Sequence, residues 1–223
     1  MSQLSKIGLI LIGPPGIGKG TFGIALSKVL GFPHLSSSQL LTNFNNMTND
    51  IRDTIKSGAL VDDKTVNTLF ESALVDDQYK NGVILDGYPR TIDQANFMHH
   101  KFEKIICIHL LLDESILLQR LTGRLVCQDC KKCYNSCDIH NEKYKMSRLM
   151  PTEEDLQKCK GCNNLKTRPD DKPDVVKNRV DVYMKSTAPL IKFYSDKGLI
   201  EDFEIREGLG DLPRLVERIK SLI

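Results

Sequence analysis

Short apolar runs recur along the chain and alternate with segments of helical periodicity. Residues 7–12 (IGLILI) predict a fully buried strand, and residues 21–30 (TFGIALSKVL) predict a helix after it. Further runs at residues 82–85, 105–112 and 198–200 predict later strands, with helical patterns between them. This alternation predicts an α/β fold, in which a parallel sheet is covered by helices on both faces.

Two segments depart from this pattern. Residues 36–65 begin with a stretch rich in Asn, Ser and Thr, which predicts a small arm outside the sheet. Residues 124–171 are polar, carry cysteines and contain few large apolar side chains, so they predict an inserted domain that cannot easily fold on its own core. The predicted core domain consists of residues 1–35, 66–123 and 172–223.

The loop between the first strand and helix, GPPGIGKGT at residues 13–21, is rich in glycine. Glycines let backbone N–H groups face a ligand without a β-carbon in the way, and a helix N-terminus favours negative charge. Residues 13–19 match the G-x-x-x-x-G-K part of the P-loop pattern, whereas Gly20 takes the place of its hydroxyl residue and Thr21 follows. The loop predicts a phosphate site with Lys19 as its cation; a plain Gly/Pro turn is the alternative.

A second motif, LDGYPRT, spans residues 85–91 and is followed by Gln94. Asp86 ends a buried run, where a carboxylate beside a phosphate loop is well placed to hold Mg²⁺ through its waters. Arg90 would then contact a phosphate. Alone, the fragment also fits a strand with a Gly/Pro turn and a surface arginine, but the neighbouring phosphate loop favours the functional interpretation.

The composition restricts the choice of partners. The 223 residues, 40% hydrophobic and 27% charged, suit one sizeable domain with inserts. A formal net charge of +2 argues against nucleic acid or a membrane surface as a partner. No apolar run approaches the roughly 20 residues that a membrane span needs, and MSQLSK leads directly into the first strand. We therefore expect a cytoplasmic monomer.

Two Cys-x-x-Cys pairs, separated by the 28 residues 131–158, lie in the polar insert. Four thiolates can complete a tetrahedral Zn²⁺ site, which would stabilise an insert that lacks an apolar core and would leave no open position for catalysis. Free thiols or a redox pair are the alternatives, and Cys133 or Cys137 could replace a ligand. The predicted ligands of this structural zinc are Cys127, Cys130, Cys159 and Cys162.

Together, these motifs resemble those of the adenylate kinase family of nucleoside monophosphate kinases. GPPGIGKGT resembles the family's phosphate loop, including the displaced threonine, and LDGYPRTIDQA resembles its signature around the monophosphate. Arginines in LLQRLTGR, KTRPDDKPDVV and KNRVDVY fall where the family's phosphate-binding arginines lie. The resemblance implies a doubly wound P-loop fold with an NMP-binding arm (residues 36–65) and a lid (residues 124–171), which carries zinc in some bacterial-type members.

The same resemblance implies reversible phosphoryl transfer from MgATP to AMP, giving two ADP. The attacking phosphate oxygen is already anionic, so the reaction needs cations and exclusion of water rather than a general base. The implied catalytic residues are Lys19, Asp86, Arg90, Arg124, Arg168 and Arg179. The implied ATP-binding residues are Gly16, Ile17, Gly18, Lys19, Gly20, Thr21, Arg120, Arg124 and Tyr134. The implied AMP-binding residues are Ser37, Leu60, Val61, Gly87, Arg90, Gln94, Arg168 and Arg179, with the Gln94 amide facing the adenine edge.

The acceptor segment departs from the family pattern. The family's Ser-[Ser/Thr]-Gly-[Asp/Glu]-x-[Leu/Ile]-Arg is replaced by SSSQLLT at residues 36–42, so Thr42 stands where an arginine is expected. The segment is also shorter, and Arg52 is a candidate substitute from a different turn. A charge-assisted hydrogen bond lost from a phosphate site costs about 1.5–3 kcal/mol, so we expect weakened AMP binding.

Two alternative functions stay open at this stage. Tyr134-Asn135 and the DDKP run are similar to GTP:AMP phosphotransferases, which makes GTP an alternative donor. A catalytically weak, nucleotide-responsive module whose lid contacts a protein or RNA is the alternative of another class. Against this module, the lid carries ten Lys/Arg and eight Asp/Glu, which is no basic stripe, and the arginines and Lys19 are all retained.

Overall fold

The computed structural model describes residues 5–43, 47–159, 162, 164–168, 171 and 173–223. Its centre is a five-stranded sheet in the order β10-β4-β1-β3-β2, in which every neighbouring pair is parallel. This sheet confirms the predicted α/β class. The strands are β1 (Ser5–Ile12), β2 (His34–Ser36), β3 (Val83–Asp86), β4 (Phe102–Leu111) and β10 (Ile200–Glu204).

Alternate residues of the central strands face opposite sides of the sheet. Leu9 and Leu11 of β1 pack in one apolar cluster, whereas Ile10 and Ile12 pack in another. Because helices cover both sides, β1 is apolar throughout rather than alternating. The helices on the Leu9 side are α1 (Lys19–Leu30), α6 (Glu114–Thr122) and α10 (Leu212–Leu222). Those on the Ile10 side are α4 (Asp63–Leu74), α5 (Ile92–His99) and α9 (Pro189–Asp196).

The predicted arm follows β2, and its described residues before α4 include two short helices, α2 (Ser37–Thr42) and α3 (Asn49–Lys56). The Thr48 hydroxyl caps α3 by accepting from the Ile51 N–H over 3.3 Å. At its far end the arm contacts helix α8 (Pro173–Val182), where the Asn178 side chain donates to the Ser57 carbonyl over 2.6 Å.

The predicted lid contains a three-stranded antiparallel sheet and a separate hairpin. The sheet order is β6-β5-β9, and the hairpin pairs β7 with β8. Helix α7 (Glu153–Lys158) begins with a capping box between Thr152 and Asp155. Among the described residues, no helix is long and apolar enough to cross a bilayer. The strands are β5 (Arg124–Cys127), β6 (Cys133–Asn135), β7 (Ile139–His140), β8 (Lys145–Met146) and β9 (Leu165–Lys166).

Candidate phosphate-transfer site and lid metal centre

The register of the sheet brings the two sequence motifs together. Leu11 of β1 pairs with Asp86 of β3, and Ser36 of β2 pairs with Asp86 from the other side. Asp86 therefore lies beside the loop that follows β1. In doubly wound sheets, ligands bind in the crevice at this carboxyl end of the strands.

The glycine loop ends at the N-terminus of α1. Gly18 is the N-cap with φ 106°, and no side chain caps the helix, so the first N–H groups are left for a ligand. A β-carbon on Gly20 would lie only 3.1 Å from Asp86 Oδ2. This close approach favours glycine at position 20, and Thr21 follows in the first turn of α1. Ile17 packs in the core behind the loop.

Lys19 curls over the loop instead of extending into solvent. Its Nζ donates to the Gly13 carbonyl over 2.7 Å and to the Pro14 carbonyl over 3.0 Å. Burial lowers the pKa of Lys19 to about 7; Asp86 opposes this shift, and the charges of three arginines add to it. The arginines are Arg90, Arg179 and Arg124. A buried ammonium surrounded by guanidinium groups requires an anion for compensation.

Asp86 is the carboxylate whose charge acts on Lys19. Burial alone would raise the pKa of Asp86, but the neighbouring His34 ring and the charges of Lys19 and Arg90 outweigh burial and lower it. The Nε2 atom of His34 lies 3.4 Å from Asp86 Oδ2, at ion-pair distance but outside hydrogen-bonding geometry. A carboxylate that is ionised at neutral pH beside a phosphate cradle fits the requirements of a Mg²⁺ ligand.

Asp171 joins two of the predicted catalytic arginines. Arg124 donates to it through Nε, over 2.7 Å, and through Nη2, while Arg179 Nη1 lies 3.4 Å from Oδ1. Burial raises the pKa of the Cys133 thiol, and the charges of Arg168 and Arg124 oppose this rise, so Arg168 lies in the same region. Arg124 and Arg179, which are distant in sequence, thus meet at one carboxylate, and the catalytic roles of the arginines stay predictions.

On the acceptor side, Arg90 is held by its own turn. Its Nε donates to the Gly87 carbonyl over 2.8 Å, and its Nη2 lies 3.4 Å from Ser37 Oγ. The Gln94 amide is buried: its oxygen accepts from the Arg90 N–H over 2.7 Å and its nitrogen donates to Asp63 over 2.8 Å. Each amide atom keeps one further hydrogen-bonding position.

The other predicted acceptor residues lie around the arm. Val61 is buried, and Leu60 is half-buried beside it. Thr42 is exposed, and its hydroxyl donates to the Ser38 carbonyl within α2 over 2.7 Å. Arg52 is exposed on α3, and its guanidinium has no hydrogen bond or ion pair with any described residue.

Besides Arg124, two predicted donor residues lie outside the loop, and Arg120 and Tyr134 have different surroundings. Arg120 points toward the loop, because its Nη2 lies 3.7 Å from the position that a β-carbon on Gly18 would take. Gly16 packs against Leu121 of the same helix. Tyr134 is buried in the lid, where its hydroxyl donates to Cys162 Sγ over 3.4 Å. Its contribution to the donor site stays a prediction.

The four predicted zinc ligands converge in the lid. Their sulfur atoms all lie within 4.8 Å of one another, with Cys127 to Cys159 and Cys130 to Cys162 each at 3.7 Å. Tetrahedral zinc with Zn–S bonds of about 2.3 Å requires sulfur separations of about 3.8 Å, so this set can hold Zn²⁺. Cys137 instead donates to the Gln119 carbonyl over 2.8 Å.

Two carboxylates and one imidazole at the site were not among the predicted site residues. They are Asp171 between the arginines, Asp63 beneath Gln94 and Thr91, and His34 beside Asp86. Asp171 lies in the KTRPDDKPDVV motif, so its position beside a predicted phosphate-binding arginine could have identified it from the sequence. Asp63 and His34 belong to no motif named above, because their role depends on partners elsewhere in the chain.

This combination of fold and site defines a P-loop phosphotransferase. The family model for adenylate kinase matches residues 11–199, and the chain belongs to the adenylate kinase family. It is 33% identical over 222 residues to the adenylate kinase of Thermotoga neapolitana, covering 95% of this chain and 96% of that one. It is 35% identical over 195 residues to the adenylate kinase of Rickettsia akari, covering 85% and 87%. The chain is therefore a phosphotransferase with nucleoside monophosphate kinase activity.

Proposed function

We propose that this chain transfers the terminal phosphoryl group of MgATP to AMP and so forms two ADP. The observation that carries the proposal is the charge around Lys19. Its ammonium group is buried beside Asp86. Burial lowers its pKa, and the positive charges of Arg90, Arg124 and Arg179 repel it and lower the pKa further. Two nucleotides whose phosphate groups face each other supply the negative charge that such a cluster needs.

Each side chain has a defined task in this proposal. Lys19 and the N–H groups of the loop hold the donor phosphates, and Arg90 holds the acceptor phosphate. Arg124, Arg168 and Arg179 stabilise the charge on the transferred group, and Asp86 would hold Mg²⁺ through its waters. When bound, Mg²⁺ neutralises phosphate charge. The lid and arm exclude water, so that transfer to AMP is favoured over hydrolysis.

We also propose that AMP is the phosphoryl acceptor and that the Gln94 amide binds its adenine base. The amide is fixed by Asp63 and by the Arg90 N–H, and each of its atoms keeps one hydrogen-bonding position. A fixed donor and acceptor can pair with the adenine edge. We propose ATP as the phosphoryl donor. Turnover measured side by side with ATP and with GTP tests which of the two nucleotides is the preferred donor.

We propose that Cys127, Cys130, Cys159 and Cys162 hold a structural zinc. The support is the sulfur spacing of 3.7 Å in two of the pairs and the small apolar cluster around them. Four thiolates close the coordination sphere, so the ion serves the fold of the lid and takes no part in the transfer.

A coupled assay for ADP formation from MgATP and AMP tests the main proposal. The variants are Lys19→Ala and, as a matched control, Lys28→Ala, which changes an exposed lysine in the last turn of the same helix. We expect Lys19→Ala to lose at least about 100-fold in rate, because one preorganised charge contact is worth ~3 kcal/mol or more. We expect Lys28→Ala to match the wild type. Equal rates for all three proteins would favour the binding module instead.

A further inference from the structure

The hairpin β7–β8, with its flanks at residues 136–147, is part of the sequence of the lid but packs on the core. Ile139, Tyr144 and Met146 are buried in the same apolar cluster as Leu9 of the central sheet. We call residues 136–147 the docked hairpin. The sequence alone does not predict this packing, because exposed polar residues separate the three apolar side chains.

Polar contacts fasten the docked hairpin at two places on the core. Lys143 Nζ lies 2.9 Å from Asp113 at the start of α6 and 2.9 Å from Glu204 at the end of β10. The Lys145 N–H donates to the Arg206 carbonyl over 2.9 Å. The docked hairpin is therefore attached to the start of α6 and to the segment at the end of β10, and not only to the zinc-binding part of the lid.

The docked hairpin also contacts Arg120. Arg120 Nη1 donates to Met146 Sδ over 3.6 Å, while Cys137 donates to the carbonyl of the preceding residue, Gln119, over 2.8 Å. The other terminal nitrogen, Nη2, lies 3.7 Å from the β-carbon position of Gly18 in the phosphate loop. Arg120 thus spans the space between Met146 and the loop.

The Arg120 guanidinium is held largely by packing. Its buried Nε has no hydrogen-bond partner, and the group has no ion pair, within the described part of the chain. A buried guanidinium that is not neutralised by a carboxylate retains its full capacity to attract an anion. Its direction therefore depends on the side chains that pack around it, and Met146 is the one that the docked hairpin supplies.

We propose that the docked hairpin forms one wall of the donor-nucleotide site and that Met146 positions Arg120 against the donor. This inference rests on the proposed function, because it places the donor at the glycine loop. Met146 is a positioning residue: it acts through Arg120 and does not touch the reacting atoms. Loss of the contact between Met146 and Arg120 should weaken donor binding and leave acceptor binding and the transfer step unchanged.

Calorimetric titration with ATP and steady-state kinetics with varied ATP or AMP test this inference. The variants are Met146→Ala, which removes the contact, Met146→Leu, which restores the packing volume, and Lys143→Ala, which removes the ion pairs of the docked hairpin without opening a core cavity. The matched control is Glu142→Ala, an exposed residue in the turn of the same hairpin.

We expect Met146→Ala to raise the ATP dissociation constant and the KM for ATP by roughly 3- to 10-fold, because part of one charge-assisted contact is lost. Lys143→Ala should raise both by about 2- to 3-fold, because exposed ion pairs contribute at most about 1 kcal/mol. The value of kcat and the KM for AMP should stay within about twofold. Met146→Leu should recover most of the affinity for ATP, and Glu142→Ala should equal the wild type.

Unchanged ATP affinity in folded Lys143→Ala and Met146→Ala would overturn the inference, as would equal shifts in kcat and in both KM values. ATP binding is measured without turnover, so a wild type that binds ATP but forms no ADP would contradict the proposed function alone. A wild type that binds no ATP would overturn both.

Discussion

Arg124 and Asp171 form a bidentate ion pair in which the carboxylate is 4% exposed, and the same carboxylate lies 3.4 Å from Arg179. A single buried acid therefore holds together two guanidinium groups, one at the start of the lid and one on helix α8, which follows the lid. Because catalysis here depends on where positive charge is fixed, Asp171 is as important to the account as the arginines themselves.

We expect Asp171→Asn to lower kcat by about 10- to 100-fold. The amide keeps the size of the side chain but loses the charge that holds both arginines, at a cost of ~1.5–3 kcal/mol. The coupled ADP assay measures the effect. Asp196→Asn, which removes an exposed partner of Lys192, is the control and should change little. Wild-type kcat in Asp171→Asn would contradict this role.

The pKa of Lys19 predicts how donor affinity depends on pH. The ligand-free group titrates at about 7, and donor phosphates raise its pKa in the complex. Above about pH 7, binding therefore requires uptake of a proton, so the ATP dissociation constant should rise with pH, by at most about tenfold per pH unit. Titration calorimetry between about pH 7.5 and 9 measures this slope, in a range where ATP itself is fully ionised.

Lys19→Arg is the control for this titration, because a guanidinium stays protonated throughout the range. Its ATP affinity should be nearly independent of pH, whatever its absolute value. Parallel profiles for the wild type and Lys19→Arg would show that another group titrates and would contradict the assignment to Lys19.

Thr42 predicts weak AMP binding. Its side chain is exposed and bonds back into α2, and Arg52 has no contact with the acceptor site among the described residues. We expect Thr42→Arg to lower the KM for AMP by up to about 10- to 100-fold, the value of one charge-assisted hydrogen bond. Asn43→Arg places the same charge one residue later and should have little effect. An unchanged KM for AMP in Thr42→Arg would count against this explanation.

Removal of the lid zinc should affect stability more than rate. Chelation should lower the Tm by roughly 5–15 °C, since ~1 kcal/mol corresponds to about 2–4 °C in a chain of this size. Turnover well below the Tm should fall by less than about twofold. Cys130→Ser should show the lowered Tm without chelator and no further response to it. Immediate, reversible loss of turnover with the fold intact would contradict a structural role.

The central sheet was largely predictable, because β1, β3 and β4 each contain a continuous apolar run. The exception is β2, where only Leu35 is apolar among three residues, too short for periodicity to detect. β10 extends four residues past the predicted run into an acidic stretch, because it is an edge strand with one covered side. Helix α1 begins at Lys19, two residues before its apolar pattern, since the loop itself supplies its first turn.

The site was predictable where residues are neighbours in sequence and unpredictable where they are not. The glycine loop, Asp86 and the cysteine pairs carry fixed spacings with a known chemistry. The pairing of Asp171 with Arg124 spans 47 residues, and the attachment of the docked hairpin to Asp113 and Glu204 depends on how the insert folds back. No local pattern encodes such contacts, because they follow from tertiary packing.

In the proposed function, one cluster of cationic side chains holds the phosphates of two nucleotides that face each other. The most direct measurement is calorimetric binding of a molecule in which two adenosine groups are joined by a chain of phosphates. We predict that one protein molecule binds one molecule of this compound. Lys19→Ala and Arg90→Ala should each reduce the affinity about 10-fold or more. Two independent binding events, or an affinity that either substitution leaves unchanged, would contradict the account.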